Sequence, residues 1–431
     1  MTFDGRLRFV VLGALCVLFF VLNAATFNAL GVVLPYMVED LGWTWAIAGV
    51  GFTLLGVACG LSGLMPAILI RRFGVSRTML AGGALALAGF GCMAVTTTAI
   101  VYFAGTILLG IAFTVCGQVP AVSVISHSFS KHSTAMGIYF TSGSLGSVAG
   151  PLIAYSTQEF MGNWRIYWVG AAIATVLLSV FTAMVTANRW NNRDASSDAA
   201  RAAAQTGWSL RNAIRTPQYF IVVGAYSSFL LINTTVHGFA VQHMADLEIS
   251  MGAAASVMSI IALISAGGSI VAGVAGERIK PMNMVLVSLG STLIGVIALA
   301  FGANFAVLAL ASVGLGIGFG FSYVSIAVLL LDLFGKRPNL ELYSTMSLIS
   351  TSAAIGPALG GYVRDQTGSF SFVFLACALV ALIFFTTLLF MKRPKEPNED
   401  KNTADSAIDT PNVHQALLQS ERHQRRPIAE L

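Results

Sequence analysis

The candidates for proton chemistry within the long uncharged runs of this sequence are three histidines, His127, His237 and His243, and a set of tyrosines. Histidine alone exchanges a proton near neutral pH without a large shift of its affinity. His237 and His243, six residues apart, are therefore candidates to carry a coupled proton or to hydrogen-bond a carboxylate. His127 sits near the end of its run, within reach of water. The same runs hold uncharged donors and acceptors: Asn23, Asn28, Thr114, Gln118, Asn233, Thr234, Thr235, Ser322, Tyr323 and Ser325. Such groups suit an uncharged or weakly charged organic solute; their bland alternative is hydrogen bonding between helices, worth about 0.6–2 kcal/mol each. No catalytic or metal-binding spacing is present. Cys16, Cys59, Cys92, Cys116 and Cys377 lie in apolar runs without CxxC spacing. Glycine-rich runs such as 314–320 lack the lysine of a phosphate-binding loop. No enzyme, metal, cofactor or direct ATP coupling is expected.

These residues need an apolar scaffold. Of 431 residues, 56% are hydrophobic and only 10% charged, with a mean hydropathy of +0.78. A soluble domain carries about 25% charged residues, so the bilayer is the solvent this composition fits. Runs free of Asp, Glu, Lys and Arg cover 9–38, 41–70, 78–130, 132–158 and 166–188, then 216–245, 249–276, 281–331, 342–363 and 366–391. The 53-residue run would make a helix about 80 Å long, against a hydrocarbon core of about 30 Å. The two longest runs are thus two passes each, turning at Thr96-Thr97-Thr98 and Gly302-Ala303-Asn304. The total is twelve transmembrane helices. The first run is too long for a removable signal and no small-residue cleavage site follows it.

With the N-terminus inside, 22 of the 24 Lys and Arg fall on the inner side and only Arg165 and Arg364 outside. That asymmetry predicts cytoplasmic termini in the cell inner (plasma) membrane. The polar stretch 188–217 divides the helices six and six, with room for a short surface helix at 201–204. From Lys392 the composition is that of a disordered tail. The expected organisation is an N-terminal six-helix bundle over 1–187, a cytoplasmic linker over 188–217, a C-terminal six-helix bundle over 218–391 and a cytoplasmic tail over 392–431.

The two halves repeat. Leu109-Gly110-Ile111-Ala112-Phe113 matches Leu315-Gly316-Ile317-Gly318-Phe319, Gly150-Pro151 matches Gly356-Pro357, and Ala67 to Arg72 matches Gly273 to Arg278, each at an offset of 206. Three matches at one spacing mark a duplicated six-helix unit. Gly273-Val274-Ala275-Gly276-Glu277-Arg278 and Gly146-x-x-x-Gly150-Pro151 resemble signatures of the major facilitator superfamily. Gly42-Trp43, Asp332-Leu333-Phe334-Gly335, the stretch 355–362 and Asp365-Gln366-Thr367-Gly368 resemble its monocarboxylate porter and oxalate/formate antiporter group.

The resemblance implies an all-α membrane protein of two pseudo-symmetric six-helix bundles that rock around a central site. It implies that helices one, four, seven and ten line this site. Asn23, Asn28, Gln118, Asn233, Thr234, His237, Tyr323 and Ser325 then become candidates for substrate binding, and His237 and His243 for proton coupling. Arg71, Arg72, Glu277 and Arg278 become the latch between the halves. Arg71 stands where the family has an acid and Ala67 where it has glycine, so the first-half latch is altered. No basic residue lies inside helix eight or eleven, which weakens a dicarboxylate reading. The implied cargo is a monocarboxylate or related small organic acid, moved with a proton by a monomer in the lipid bilayer, with no nucleic acid involved. Proton-driven efflux of a hydrophobic or drug-like compound is the competing reading, and a non-transporting membrane sensor is a remoter one. Pro66, Pro120, Pro151 and Pro357 are expected to interrupt their helices.

Overall fold

The computed structural model describes residues 5–129, 132–187, 208–276, 278–302, 304–335 and 339–394. Residues 1–392 form one compact unit. The remainder, 393–431, lies almost wholly outside the described residues, as does the surface helix expected at 201–204. Among the described residues every regular element is helical.

Six spans precede the linker: α1 (Arg8–Leu41), α2 (Trp45–Phe73), α3 (Val75–Ala94), α4 (Ala99–Cys116 continued by Gln118–Ser128), α5 (His132–Met161) and α6 (Trp164–Ala187). Six follow it: α7 (Pro217–Asp246), α8 (Met251–Ala275), α9 (Pro281–Ala300), α10 (Phe305–Phe334), α11 (339–367) and α12 (Ser371–Leu389). Ten are long and apolar enough to cross a membrane, and α5 and α11 complete the twelve. Local sequence fixes their ends. The hydroxyls of Thr44, Thr216 and Ser250 and the amide oxygen of Asn304 accept the first-turn N–H groups of α2, α7, α8 and α10. Gly42 and Gly368, at φ of 63° and 74°, close α1 and α11 in the left-handed conformation that glycine adopts without strain.

Several spans are interrupted. α1 widens into a π-helix over Ala24–Asn28. α4 breaks at Gly117, because Pro120 lacks an N–H and its ring clashes with the Cys116 carbonyl. α11 passes through a 3-10 turn, Thr351–Ile355, before Gly356-Pro357. α2 tightens over Ser62–Leu64 ahead of Pro66. The expectation for Pro151 is corrected: α5 runs through it without a break. One missing hydrogen bond is tolerated in a helix packed against α1 on one side and α8 on the other.

The duplication reappears in the contacts. Gly110 of α4 lies against the Leu55 carbonyl of α2, and Gly316 of α10 against the Ile261 carbonyl of α8, with both partners displaced by 206. Gly89 meets Leu109 as Gly295 meets Leu315. The halves touch through α1/α7, α2/α11 and α5/α8. The contacts that follow lie at the end of the body away from Arg8 and Leu389, the distal end. Gly49 lies against the Pro357 carbonyl, Gly361 against the Trp45 carbonyl, and Gly252 against the Tyr155 ring. The Ala358 N–H donates to Thr53 Oγ1 at 3.0 Å.

Candidate functional site

Away from these contacts, side chains midway along the spans keep accessible surface. Tyr323, midway along α10, is 48% exposed although its ring lies 5.1 Å from Phe229 and 6.2 Å from Tyr226. Asn23, Asn233, Thr234, His237 and Tyr343 are half-buried. Phe229 and Tyr226 behind Tyr323 are buried. The second-half wall is a succession of rings: His237 stacks on Phe319 at 5.9 Å, Phe319 meets Phe229 at 5.7 Å, and Tyr226 meets Tyr343 at 6.4 Å. Tyr343 and Ser347 of α11 lie within hydrogen-bonding reach of the Tyr226 hydroxyl. On the first-half wall Phe27 stands edge-on to Phe52 and Phe113. Thr114 Oγ1 donates to the Cys59 carbonyl at 3.1 Å.

The sequence places no Asp, Glu, Lys or Arg at mid-depth in any span. Hydrogen-bond geometry therefore decides what the site can do. Asn233, one turn below His237, offers its backbone carbonyl to His237 Nδ1 at 2.8 Å. A carbonyl only accepts, so Nδ1 carries the hydrogen and Nε2 is the nitrogen that can take up a proton. Among the described residues Nε2 has no hydrogen-bond partner.

The remaining sequence candidates fall in several environments. Asn23 Nδ2 donates to the Phe19 carbonyl at 2.9 Å. Asn28, 8% exposed, donates to the Asn23 carbonyl and to Ser147 Oγ, so it ties the π-helix of α1 to α5. The Thr234 hydroxyl donates to the Leu230 carbonyl. Ser325 is fully buried, its hydroxyl on the Ser322 carbonyl. His243 is also buried; its Nε2 donates to the Leu299 carbonyl at 2.9 Å and its ring lies against Phe374. It faces α9 and α12 and is not brought together with His237. Arg71, Arg72 and Arg278 are exposed, Arg72 over the ring of Phe73. Glu277 and the side chains of Gln118 and His127 lie outside the described residues.

Other paired residues escaped the sequence reading. The two outer arginines are both paired: Arg165 to Asp40 at 2.8 Å and Arg364 to Asp246 at 3.0 Å. The two aspartates are 206 residues apart, a signal that was available in the sequence. Asp365 fastens the distal end. Its Oδ1 accepts the Trp45 N–H at 2.9 Å and its Oδ2 the Ala46 N–H at 2.8 Å, across the two halves. The Trp45 ring stands edge-on between Phe239 and Phe370.

Comparison with known proteins bears on this arrangement. The sequence profile of the Major Facilitator Superfamily matches residues 16–348. An uncharacterized transporter of Bacillus subtilis (strain 168), YycB, is 26% identical over 327 residues, 72% of this chain and 76% of that protein. An uncharacterized MFS-type transporter of Escherichia coli (strain K12), YhjX, is 24% identical over 261 residues, 59% of this chain and 63% of its own. Among solved structures, the nucleoside transporter NupG superposes with a TM-score of 0.69 at 16% identity, over 90% of this chain and 99% of that one. A NupG variant gives 0.70 at 15%. Both likenesses concern the fold.

Proposed function

The chain belongs to the major facilitator superfamily and is a multi-pass membrane transporter of that type, and from this premise we propose that it carries a small monocarboxylic acid together with a proton. The halves 1–187 and 218–391 rock about the centre as a monomer, exposing the site to one side at a time. Cytoplasmic termini in the plasma membrane would make the described state open to the cytoplasm. Arg71, Arg72, Glu277 and Arg278 would then meet as a latch only when that side closes.

The observation that carries the reading is His237: Nδ1–H is committed to Asn233, and Nε2 is left in a half-exposed centre without fixed charge. A carboxylate entering alone would leave an uncompensated charge there, which is costly. Entering with a proton on Nε2, it forms a pair that is neutral overall. Asn23, Asn233 and Tyr323 supply neutral donors around it. Asn28 holds Asn23 through its backbone carbonyl, while Thr234, Ser325 and His243 spend their hydrogen bonds on carbonyls away from these groups.

The test is uptake into vesicles reconstituted with the purified chain. An inward proton gradient should drive labelled acid above equilibrium, and a proton ionophore should abolish the accumulation. His237→Gln should lose accumulation yet keep acid exchange across the membrane. Accumulation that survives both the ionophore and the substitution overturns the proposal. Proton-dependent extrusion of a hydrophobic compound, without acid uptake, would favour the efflux reading instead.

A further inference from the structure

We propose that the central site selects a planar aromatic monocarboxylic acid over a short aliphatic one, and that Tyr323 sets this choice. The inference rests on the acid-and-proton reading of the same site.

A short acid such as pyruvate offers little besides its carboxylate, which a fixed cation would hold most strongly. No span here has one at mid-depth. Binding must then draw on apolar and ring contact, and the second-half wall is built for that. From His237 through Phe319 and Phe229 to Tyr323, successive ring centroids are 5.9, 5.7 and 5.1 Å apart. Phe229 and Phe319 are buried behind the wall, whereas Tyr323 is 48% exposed, so Tyr323 presents ring surface to a ligand.

The duplication shows where the ligand fits. Displacement by 206 relates Phe113 to Phe319, Asn23 to Phe229, and Phe27 to Asn233, so each wall holds one amide and two phenyl rings. The same displacement relates Tyr323 to Gly117. Where the second half has the tyrosine, the first half has the buried glycine at which α4 breaks, against the Phe113 carbonyl. The exposed ring of Tyr323 thus has no counterpart on the first-half wall, and the asymmetry marks it as the surface left for a ligand ring.

The distance to the proton-carrying group fits as well. Phe319 and Tyr323 lie four residues apart on one face of α10, as do Phe229, Asn233 and His237 on α7. The step from Tyr323 up to the His237 level is thus about one helical turn, about 6 Å, counted on α10, and about two turns, about 12 Å, counted on α7 from Phe229. A benzoate-sized molecule with its ring on Tyr323 and its carboxylate towards Asn233 and His237 Nε2 covers more of that step than a three-carbon acid can. Pyruvate reaches one group or the other.

The experiment is reconstituted uptake of labelled 4-hydroxybenzoate and labelled pyruvate under one proton gradient, with protein-free vesicles subtracted. The aromatic acid should be preferred about tenfold or more in kcat/KM. Tyr323→Leu should bring that ratio close to one, and Tyr323→Phe, which keeps the ring, should retain the preference. Both variants are checked for monodispersity, so that loss of fold is not read as loss of selection. Proton-driven uptake of both acids at equal efficiency, or a preference that survives Tyr323→Leu, overturns the selection and leaves the acid-and-proton reading standing. No movement of either acid overturns both.

Discussion

His237 and His243 share a residue type and a helix, yet their surroundings assign them opposite tautomers. His237 donates from Nδ1 to its own helix and keeps Nε2 towards the centre. His243 donates from Nε2 to the Leu299 carbonyl of α9, and its Nδ1 is buried without a partner. A proton on that Nδ1 would be a buried charge without a hydrogen-bond acceptor, which costs free energy, so we expect His243 to hold the helices together as a neutral ring. Replacing it by phenylalanine keeps the ring but removes the inter-helix hydrogen bond to the Leu299 carbonyl, which still accepts the Gly302 N–H, a loss of about 0.5–1.5 kcal/mol. The expected outcome for His243→Phe is a lower midpoint of thermal unfolding in detergent with an unaltered pH profile of uptake per folded molecule. A shifted pH profile would return His243 to the proton pathway. Depth along the helix could be counted in the sequence and picked out both histidines. The direction in which each ring points depends on packing partners from α9, α10 and α12, which no local pattern encodes.

The distal end of α2 shows what a helix terminus can do between two rigid bodies. A helix begins with N–H groups that have no partner within it. Here the Ile47 N–H goes to Thr44 Oγ1, while the Trp45 and Ala46 N–H groups go to the Asp365 carboxylate of the other half. The distal end can open only by surrendering those two bonds to water. Asp365→Ala should weaken the closed distal arrangement by about 1–2 kcal/mol, since the carboxylate is exposed and water replaces part of what is lost. Amide exchange over Trp45 to Ile47 should then speed up by about 5–30-fold, with Asp365→Asn in between because one oxygen remains. Unchanged exchange in the alanine variant would mean that the capping bonds do not hold the halves. Much at this scale was legible beforehand: the twelve spans, both turns inside the long runs, and the breaks near Pro120 and Pro357. The π-helix of α1 was not, because Ala24–Asn28 contains no proline or glycine to mark it. It is held from outside, by Asn28 on Ser147 and by the Tyr167 hydroxyl on the Ala24 carbonyl.

At the scale of the whole molecule, the offset of 206 acquires a geometric meaning. Gly31 and His237 are related by it, and they also touch, Gly31 lying against the His237 carbonyl. Two residues that are equivalent under a twofold operation and in contact must lie at the axis. His237 is therefore central to the molecule as well as titratable, a conclusion that needs both the repeat and the contact. The closure of one end was not readable in the same way, since a duplicated sequence is equally compatible with either end shut. That closure can be trapped. A Cβ at Gly56 of α2 would stand 3.0 Å from the Ala354 Cβ of α11, slightly inside the usual disulfide separation of about 3.5–4.5 Å. The double variant Gly56→Cys/Ala354→Cys should oxidise readily and fix the halves with the distal end shut. If the halves must part there on every cycle, oxidation should stop net uptake and reduction should restore it, while each single variant responds to neither treatment. A crosslink that forms in full yet leaves uptake intact would show that α2 and α11 do not separate during transport, and rocking of the halves would have to be replaced by a movement confined to the other end.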